Sequence, residues 1–521
     1  MFTAAHAEKI QKYWSGNPNV IGLADAEKDS NIWPEWESSI YLERSPLKAL
    51  HLGHSQLLIG RKGSGKSAAR IAAERVSGVV VADDSSTHMV LTASAERLVD
   101  AAIADFDIRK KFGSAAVSVW YKIFAYEILK GIAKKLGGQA LVDQAEIEIR
   151  RWAIAEGFAV EDFGERLIAG MRRLLPQVKE RTVDPTQKVR LHDEHVEKLL
   201  RTSNCTLIID DFDNTANQGG AERLGVQNVQ AAIEAADMLS SRRDGPNISL
   251  LIREDLWLRC RIGWHYLDKV SMPTWLRWEA EDLKSLLHRR LAGACSLALG
   301  EVPGSRKHES FDSLWSLFFP ASVLLDNSAE SQGFTYVLRR TMYTPRDIQT
   351  FLQYALAGSK SLPLEPADIK RAEEKFSSER MQYLLNEFDS MCGDLSQCLH
   401  SFAGHSLEWT TSDLRKHLNG QLGSGGVRPT TAACADPTSA TDMMRFLFRI
   451  GFLEVRIPLD PNNRSGKYEV RDGLRHPDHW SGARVDDSVK WAARSTFYMA
   501  LQSYRADRVG TGINWIDVSN N

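Results

Sequence analysis

Eight residues carry the clearest chemistry in this chain. Gly60 to Ser67 read G-R-K-G-S-G-K-S, directly after the apolar run Leu57-Leu58-Ile59. This is a complete G-x-x-x-x-G-K-[ST] phosphate loop between a predicted strand and a predicted helix. Its glycines let the backbone curl so that successive N–H groups point at phosphate oxygens. Lys66 has the reach for the β- and γ-phosphates, and the Ser67 hydroxyl has the chemistry to ligate Mg²⁺. The helix opening at Ser67-Ala68 aims the positive end of its dipole at the same anion. Gly60, Arg61, Lys62, Gly63, Ser64, Gly65, Lys66, Ser67 and Ala68 are therefore the expected cradle for ATP. The plain alternative, a glycine-rich surface turn, fits the strand-before, helix-after context poorly.

Hydrolysis needs more than a cradle: an acid to order the metal and a group to orient water. Cys205-Thr-Leu-Ile-Ile-Asp210 is a continuous apolar run closing on carboxylates, and Asp211-Phe212-Asp213 follows. Asp210 ends the strand and is the candidate for holding Mg²⁺ through water. Asp211 and Asp213 compete for the water-positioning role, and either has the plain alternative of capping the next turn. Arg253 ends another apolar strand, Asn247–Arg253, at the edge where ligands of open α/β sheets collect. It reads as a nucleotide sensor or as an arginine finger across a subunit boundary; the alternative is an ion pair with Glu254, Asp255 or the strand-end acids. Arg346, in Tyr343-Thr-Pro-Arg-Asp347, starts a helix behind a proline. It reads as a cation reaching the nucleotide from a lid, or as an ordinary helix-start arginine.

The elements that must position these groups follow from apolar spacing. Gln56–Ile59, Gly78–Ala82, Met89–Leu91, Cys205–Asp210 and Asn247–Arg253 read as strands, the last two buried on both faces as in parallel sheets. Val117, Trp120, Ile123, Phe124, Ile128, Leu129 and Ile132 recur at helical spacing, as do Leu167, Met171, Leu174 and Leu175. Strands alternating with helices indicate an α/β three-layer core. Leu283, Leu286, Leu287 and Leu291 share one helical face, and Val337–Leu356 reads as helix split near Pro345. Further on, helices over Met381–Phe388 and Ala440–Ile450, then a hairpin turning near Ser465-Gly466, match a winged-helix pattern. The expected domains are a helical segment 1–45 packed on the nucleotide domain and an ATPase core 46–280 with a helical insertion near 95–200. A helical lid 281–375, a winged-helix-like domain 376–475 and a helical tail 476–521 complete the chain. Residues 420–440, rich in Gly, Ser, Thr and Ala, read as an internal loop.

Bulk properties narrow the classes. The 521 residues carry a formal net charge of −2, so nothing global pulls the chain toward nucleic acid. Six cysteines (Cys205, Cys260, Cys295, Cys392, Cys398, Cys434) lack C-x-x-C spacing, which predicts neither a disulfide framework nor a zinc site. No apolar run approaches a bilayer-spanning length, and the first residues lack the order of a signal peptide. The expectation is a cytoplasmic protein with no membrane partner.

The order GRKGSGKS, LIIDDFD, LLIRED and TPRDIQTFL resembles bacterial P-loop ATPases of the KAP and STAND kind. These belong to the AAA+-like branch with an extra strand between the two Walker strands. The likeness covers roughly residues 45 to 360; its first two motifs are specific and the others short. It implies a RecA/AAA+-like core with a helical lid and a C-terminal winged helix. Asp210 then orders the metal, Asp211 or Asp213 is the catalytic acid, and Arg253 and Arg346 report nucleotide occupancy. It also implies a nucleotide-controlled switch, a homo-oligomer and a separate effector protein, as in anti-phage defence complexes. Two departures stand out. Ser67 and Asp210 lie 143 residues apart, which the helical insertion must absorb, and Asp211 replaces the usual glutamate, which predicts slow turnover.

Two other classes remain open. One is a DNA-binding ATPase of the initiator or loader type, touching phosphates through Arg415, Lys416, Arg445, Arg449, Arg456, Arg464 and Lys467. The other is a scaffold that holds nucleotide as a structural ligand. The His51/His54 and His476/His479 pairs lack companion ligands at metal-site spacing and are not promoted to a metal centre.

Overall fold

The computed structural model describes residues 2–15, 17–32, 57–76, 89–94, positions 117, 120, 121, 124, 125 and 128, 205–210, 222–240 and, with interruptions, 246–506. The chain divides into two compact units: residues 40–276, and residues 1–39 together with 277–521. Helices α1 (Ala4–Trp14) and α2 (Ala26–Ile32) open the chain and belong to the second unit.

The 40–276 unit is built on one parallel sheet. Its strands are β1 (Leu57–Gly60), β2 (Met89–Ser94), β3 (Cys205–Asp210), β4 (Asn247–Arg253) and β5 (Thr274–Trp275), in the order β2-β3-β4-β1-β5. Helix α3 (Lys66–Val76) follows the glycine-rich loop, α4 (Glu222–Ser240) precedes β4 and α5 (Glu254–Cys260) follows it. The continuous apolar runs become strands buried on both faces, and period-two alternation sorts their side chains. Leu57, Ile59, Leu207, Ile209, Leu250 and Ile252 meet α4 through Val229, Ala232, Ile233 and Ala236, and α5 through Leu256 and Trp257. Trp120, Tyr121, Phe124, Ala125 and Ile128 join this cluster, with Val117 packed on it, and all six are helical. The described positions of the expected helix are helical; its other positions, the Leu167–Leu175 periodicity and the Gly78–Ala82 strand lie outside the described residues.

Leu58, Ile208 and Leu251 face the other way, onto Ala69 and Ala73 of α3 and onto Leu276. Those alanines, four residues apart on one helical face, let the helix lie close to the sheet. The same alternation carries Gly60, Asp210 and Arg253 to the α3 side, because each is two residues beyond one of these inward-facing positions. Sheet and helices thus gather the candidate groups at the C-terminal edge of the strands.

The second unit begins with α6 (Ala280–Leu299), whose Leu283, Leu286, Leu287 and Leu291 are buried as their spacing predicts. Glu279 and Asp282 form its capping box, and Gly300 closes it in the left-handed conformation. Helices α7 (Gly333–Arg339), α8 (Pro345–Ala357) and α9 (Pro366–Phe388) follow. The N-terminal segment belongs to this unit and packs on α6 and α8, whereas the sequence reading assigns it to the nucleotide domain. Trp14 Nε1 donates to the Ala294 carbonyl at 2.9 Å, and Gln353 Nε2 donates to Gly22 O at 2.7 Å. Arg290, fully buried, forms an ion pair with Asp29. No charge or spacing pattern announces such a partnership across about 260 residues.

Two boundaries also shift. Residue 376 falls inside α9, so the last domain does not start there. Beyond it come α10 (Leu395–His400), β6 (Glu408–Thr410), α11 (Thr411–Gly423), α12 (Ala440–Arg449), β7 (Leu453–Pro458), β8 (Tyr468–Asp472), β9 (Lys490–Ala493) and α13 (Tyr498–Ala506). The sheet is four-stranded and antiparallel, ordered β8-β7-β9-β6, where a two-stranded hairpin was expected. β9 sits in its interior with Trp491 fully buried, so the expected helical tail from 476 contributes a strand. Four residues are too few to show a period. Within the expected loop 420–440, α11 runs to Gly423, and Arg428–Pro429 pairs with Cys392–Gly393. Residues 465–466 lie outside the described residues, though β7 and β8 pair antiparallel on either side of them.

Candidate functional site

The loop leaves β1 at Gly60, which pairs in register with Arg253 of β4. Gly63 and Gly65 have φ of 84° and 95°, a region costly for side chains with a Cβ. A Cβ on Gly60 would lie 2.4 Å from Ser64 Oγ. The chain therefore turns tightly enough for α3 to begin at Lys66, with Ala69 N donating to Gly65 O at 2.9 Å. Lys66 is only 8% exposed; its Nζ donates to Gly60 O at 2.9 Å and Arg61 O at 3.2 Å. The ammonium is thus drawn over the concave side of the loop. Ser67 is half-buried one residue on, in the first turn of α3.

Asp210 closes β3 on the same side of the sheet, 2% exposed. Its Oδ2 accepts no hydrogen bond from the described residues and lies 3.7 Å from Arg70 Nε of α3. A buried carboxylate oxygen with lone pairs to spare suits the water shell of a hard cation. The Ser67 hydroxyl and Asp210 carboxylate are groups that could hold a hard cation, and the Lys66 ammonium one that could hold a phosphate. Asp211 and Asp213 lie outside the described residues.

Arg253 is buried at the end of β4, and its Nε donates to Asp255 Oδ1 at 2.9 Å. The other Asp255 oxygen is 3.7 Å from Arg259 Nη2. The ion-pair alternative is thus realised at Arg253 Nε. Glu254, next in the chain, accepts from Arg61 Nε of the loop at 3.0 Å. That pair continues the β1–β4 ladder by one step past Gly60 and Arg253, tying the loop to the start of α5. Arg70 was not singled out from the sequence, and Glu254 and Asp255 were named only as alternative partners of Arg253. Arg70 had a weak signal, since it lies one turn past Lys66 on the same face; the two acids had only their adjacency to Arg253.

Arg346 lies in the second unit, at the start of α8, where Nε donates to Ala24 O at 3.4 Å. Thr344 caps the helix by accepting from Asp347 N at 3.2 Å, and Asp347 pairs with Arg380 at 3.4 Å.

Among the basic residues of the last domain, Arg456 is 9% exposed and pairs with Glu408 at 3.2 Å and Glu454 at 3.1 Å. Arg445 pairs with Asp442 at 2.9 Å. Lys416 is exposed, Arg415 and Arg449 are half-buried, and Arg464 and Lys467 lie outside the described residues. Along α12 only Arg445 is exposed; Met443, Met444, Phe446, Leu447 and Phe448 are buried. Burial pushes the thiols of Cys260 and Cys295 up to about 12, which keeps them unreactive. The His51/His54 and His476/His479 pairs lie outside the described residues. No described helix is long and apolar enough to cross a membrane.

No curated protein matches the chain. Residues 281–385, from α6 into α9, match the family model of a FunZ-associated C-terminal helical domain.

Proposed function

We propose that the chain binds ATP with Mg²⁺ at Gly60–Ser67 and hydrolyses it slowly, as a nucleotide-controlled switch. One observation carries the reading. A loop held in left-handed turns at Gly63 and Gly65 ends in a buried lysine, on the sheet face that also presents Asp210. The strand order supports it too, since β4 with Arg253 separates β1 from β3. In this reading Lys66 neutralises the β- and γ-phosphates, and α3 turns its N-terminus toward them. Ser67 and Asp210 are the groups that would hold magnesium, whose chemistry is to offset charge on the transferring phosphoryl group. Asp211 or Asp213 orients the attacking water. Arg253 leaves Asp255 to meet the γ-phosphate, which makes the β4–α5 junction sensitive to nucleotide state.

Similarity of residues 281–385 to a helical domain supports reading α6–α9 as the responding part, with Arg346 at the start of α8. A self-assembly surface and a separate effector protein complete the switch on the strength of the family resemblance. Major-groove reading by α12 is disfavoured, because a recognition helix needs an exposed polar face and α12 is buried on nearly all sides.

The test is turnover by purified protein with Mg²⁺ and ATP. Slow hydrolysis that Lys66→Ala abolishes, in a folded protein, supports the switch. Salt-sensitive stimulation by DNA would favour the initiator reading instead. Tight binding without any turnover would leave a scaffold.

A further inference from the structure

Helix α3 carries a second cation one turn past Lys66, and it lies against the acid assigned to the metal. Arg70 Nε is 3.7 Å from Asp210 Oδ2, with side chains 16% and 3% exposed. Their meeting follows from geometry. Ile209 pairs with Leu250, and the next residue of β4, Leu251, pairs with Leu58. Asp210 is therefore level with Leu58, two residues short of Gly60 and about 7 Å back along the sheet. Helix α3 starts at the loop and packs back over Leu58, Ile208 and Leu251. The four residues from Lys66 to Arg70 span about 6 Å of helix rise. Lys66 and Ser67 consequently stay level with the loop, while Arg70 is the α3 cation level with Asp210.

We propose that Arg70 is the built-in counter-ion of Asp210 and sets when a divalent cation can bind. The proposal rests on the ATP-and-magnesium reading of the site. A guanidinium at that range offsets the charge of a carboxylate this buried. The same cation repels a divalent ion seated between Ser67 and Asp210. Free metal therefore binds weakly, and the metal is held once the triphosphate brings enough negative charge to outweigh the guanidinium. Arg70 acts through Asp210 and does not touch the nucleotide, which makes it a positioning residue. The order this imposes, nucleotide with its metal and never metal first, keeps the switch from being set by the free cation.

The experiment uses the full chain and Mn²⁺ as the probe, read by loss of its free paramagnetic resonance signal in the absence of nucleotide. Arg70→Gln and Arg70→Met should tighten Mn²⁺ binding by about tenfold or more, and adding Asp210→Asn should remove that gain. A fluorescent ATP analogue is titrated in parallel with Mn²⁺ or with chelator. The ratio of the two affinities should change in the Arg70 variants, whereas a merely structural role would weaken both alike. Unchanged Mn²⁺ affinity in folded Arg70 variants overturns the proposal. Unfolding of both variants also overturns it, by making the pair a structural staple. Failure of the wild type to bind the ATP analogue at all refutes the nucleotide reading instead, and the Mn²⁺ comparison still reports on Arg70 by itself.

Discussion

Arg494 follows β9 and is 3% exposed, yet three residues converge on its guanidinium. Nη1 lies 3.3 Å from Asp472 Oδ2 at the end of β8. Nε and Nη2 donate to Thr341 O at 3.3 and 3.1 Å, and the Thr496 hydroxyl donates to the same oxygen at 3.3 Å. The guanidinium also stands 5.0 Å from the ring centroid of Tyr343, whose φ of 52° is the one positive value among the described non-glycine residues. These contacts fix the turn that launches α8 and hence Arg346. Arg494→Met keeps much of the volume and removes the charge that faces Asp472, which is 1% exposed and whose Oδ1 accepts from the Leu474 amide at 3.0 Å. Breaking a buried pair from one side costs about 3–5 kcal/mol, against about 0–1 for a surface pair. For a unit of this size that is a fall of about 10 °C in its thermal midpoint. Adding Asp472→Asn removes the stranded charge and should restore about half. The assay is tryptophan-fluorescence unfolding, with the C-terminal sheet followed through buried Trp491. A loss below about 1 kcal/mol, or no recovery in the double variant, refutes the argument that the pair is buried and mutually dependent.

Two further outcomes follow from local geometry. Burial, and then the neighbouring His405, push His417 down to about 4 from an ordinary 6.5. The unfolded chain thus takes up a proton first on acidification. Stability from this site is full above about pH 6.5 and declines as pH falls toward 4. In His417→Gln that part of the acid loss should flatten, as read by denaturant midpoints at pH 7 and 4.5; an identical loss counts against it. Gly22 has φ 84°, and a Cβ there would lie 2.4 Å from Arg290 Nη1 and 2.6 Å from Asp29 Oδ1. Gly22→Ala should cost about 1–3 kcal/mol and expose residues 1–32 to limited proteolysis, whereas wild-type protease resistance would show that the clash relaxes without harm.

What was legible in the sequence is whatever depends on neighbours in the chain. The run Cys205–Asp210 had to be a strand buried on both faces, and the glycines at 63 and 65 announced a turn that only they make easily. Leu283, Leu286, Leu287 and Leu291 stated their helical face outright. What was not legible depends on distant partners. Arg290 reads as an ordinary helical cation until Asp29 is brought to it. Arg253 reads equally as a sensor or as the partner of a nearby acid, and only the structure shows its Nε–H on Asp255. β9 is too short to show alternation and becomes a strand because β7 and β6 flank it. The glycine-rich loop and Asp210 were visible, whereas the pairings of Arg61 with Glu254 and of Arg70 with Asp210 were not, since ion-pair geometry is set by register and not by spacing.

The central claim is that Lys66 and the turns around it hold a triphosphate. Titration calorimetry of ATP with Mg²⁺ into the full chain and into Lys66→Ala tests it directly. One site per chain is predicted for the wild type. Loss of two charge-assisted hydrogen bonds should weaken the variant by roughly a hundredfold while its circular dichroism stays unchanged. Equal affinities for the two proteins, or no heat of binding in the wild type, would contradict the account.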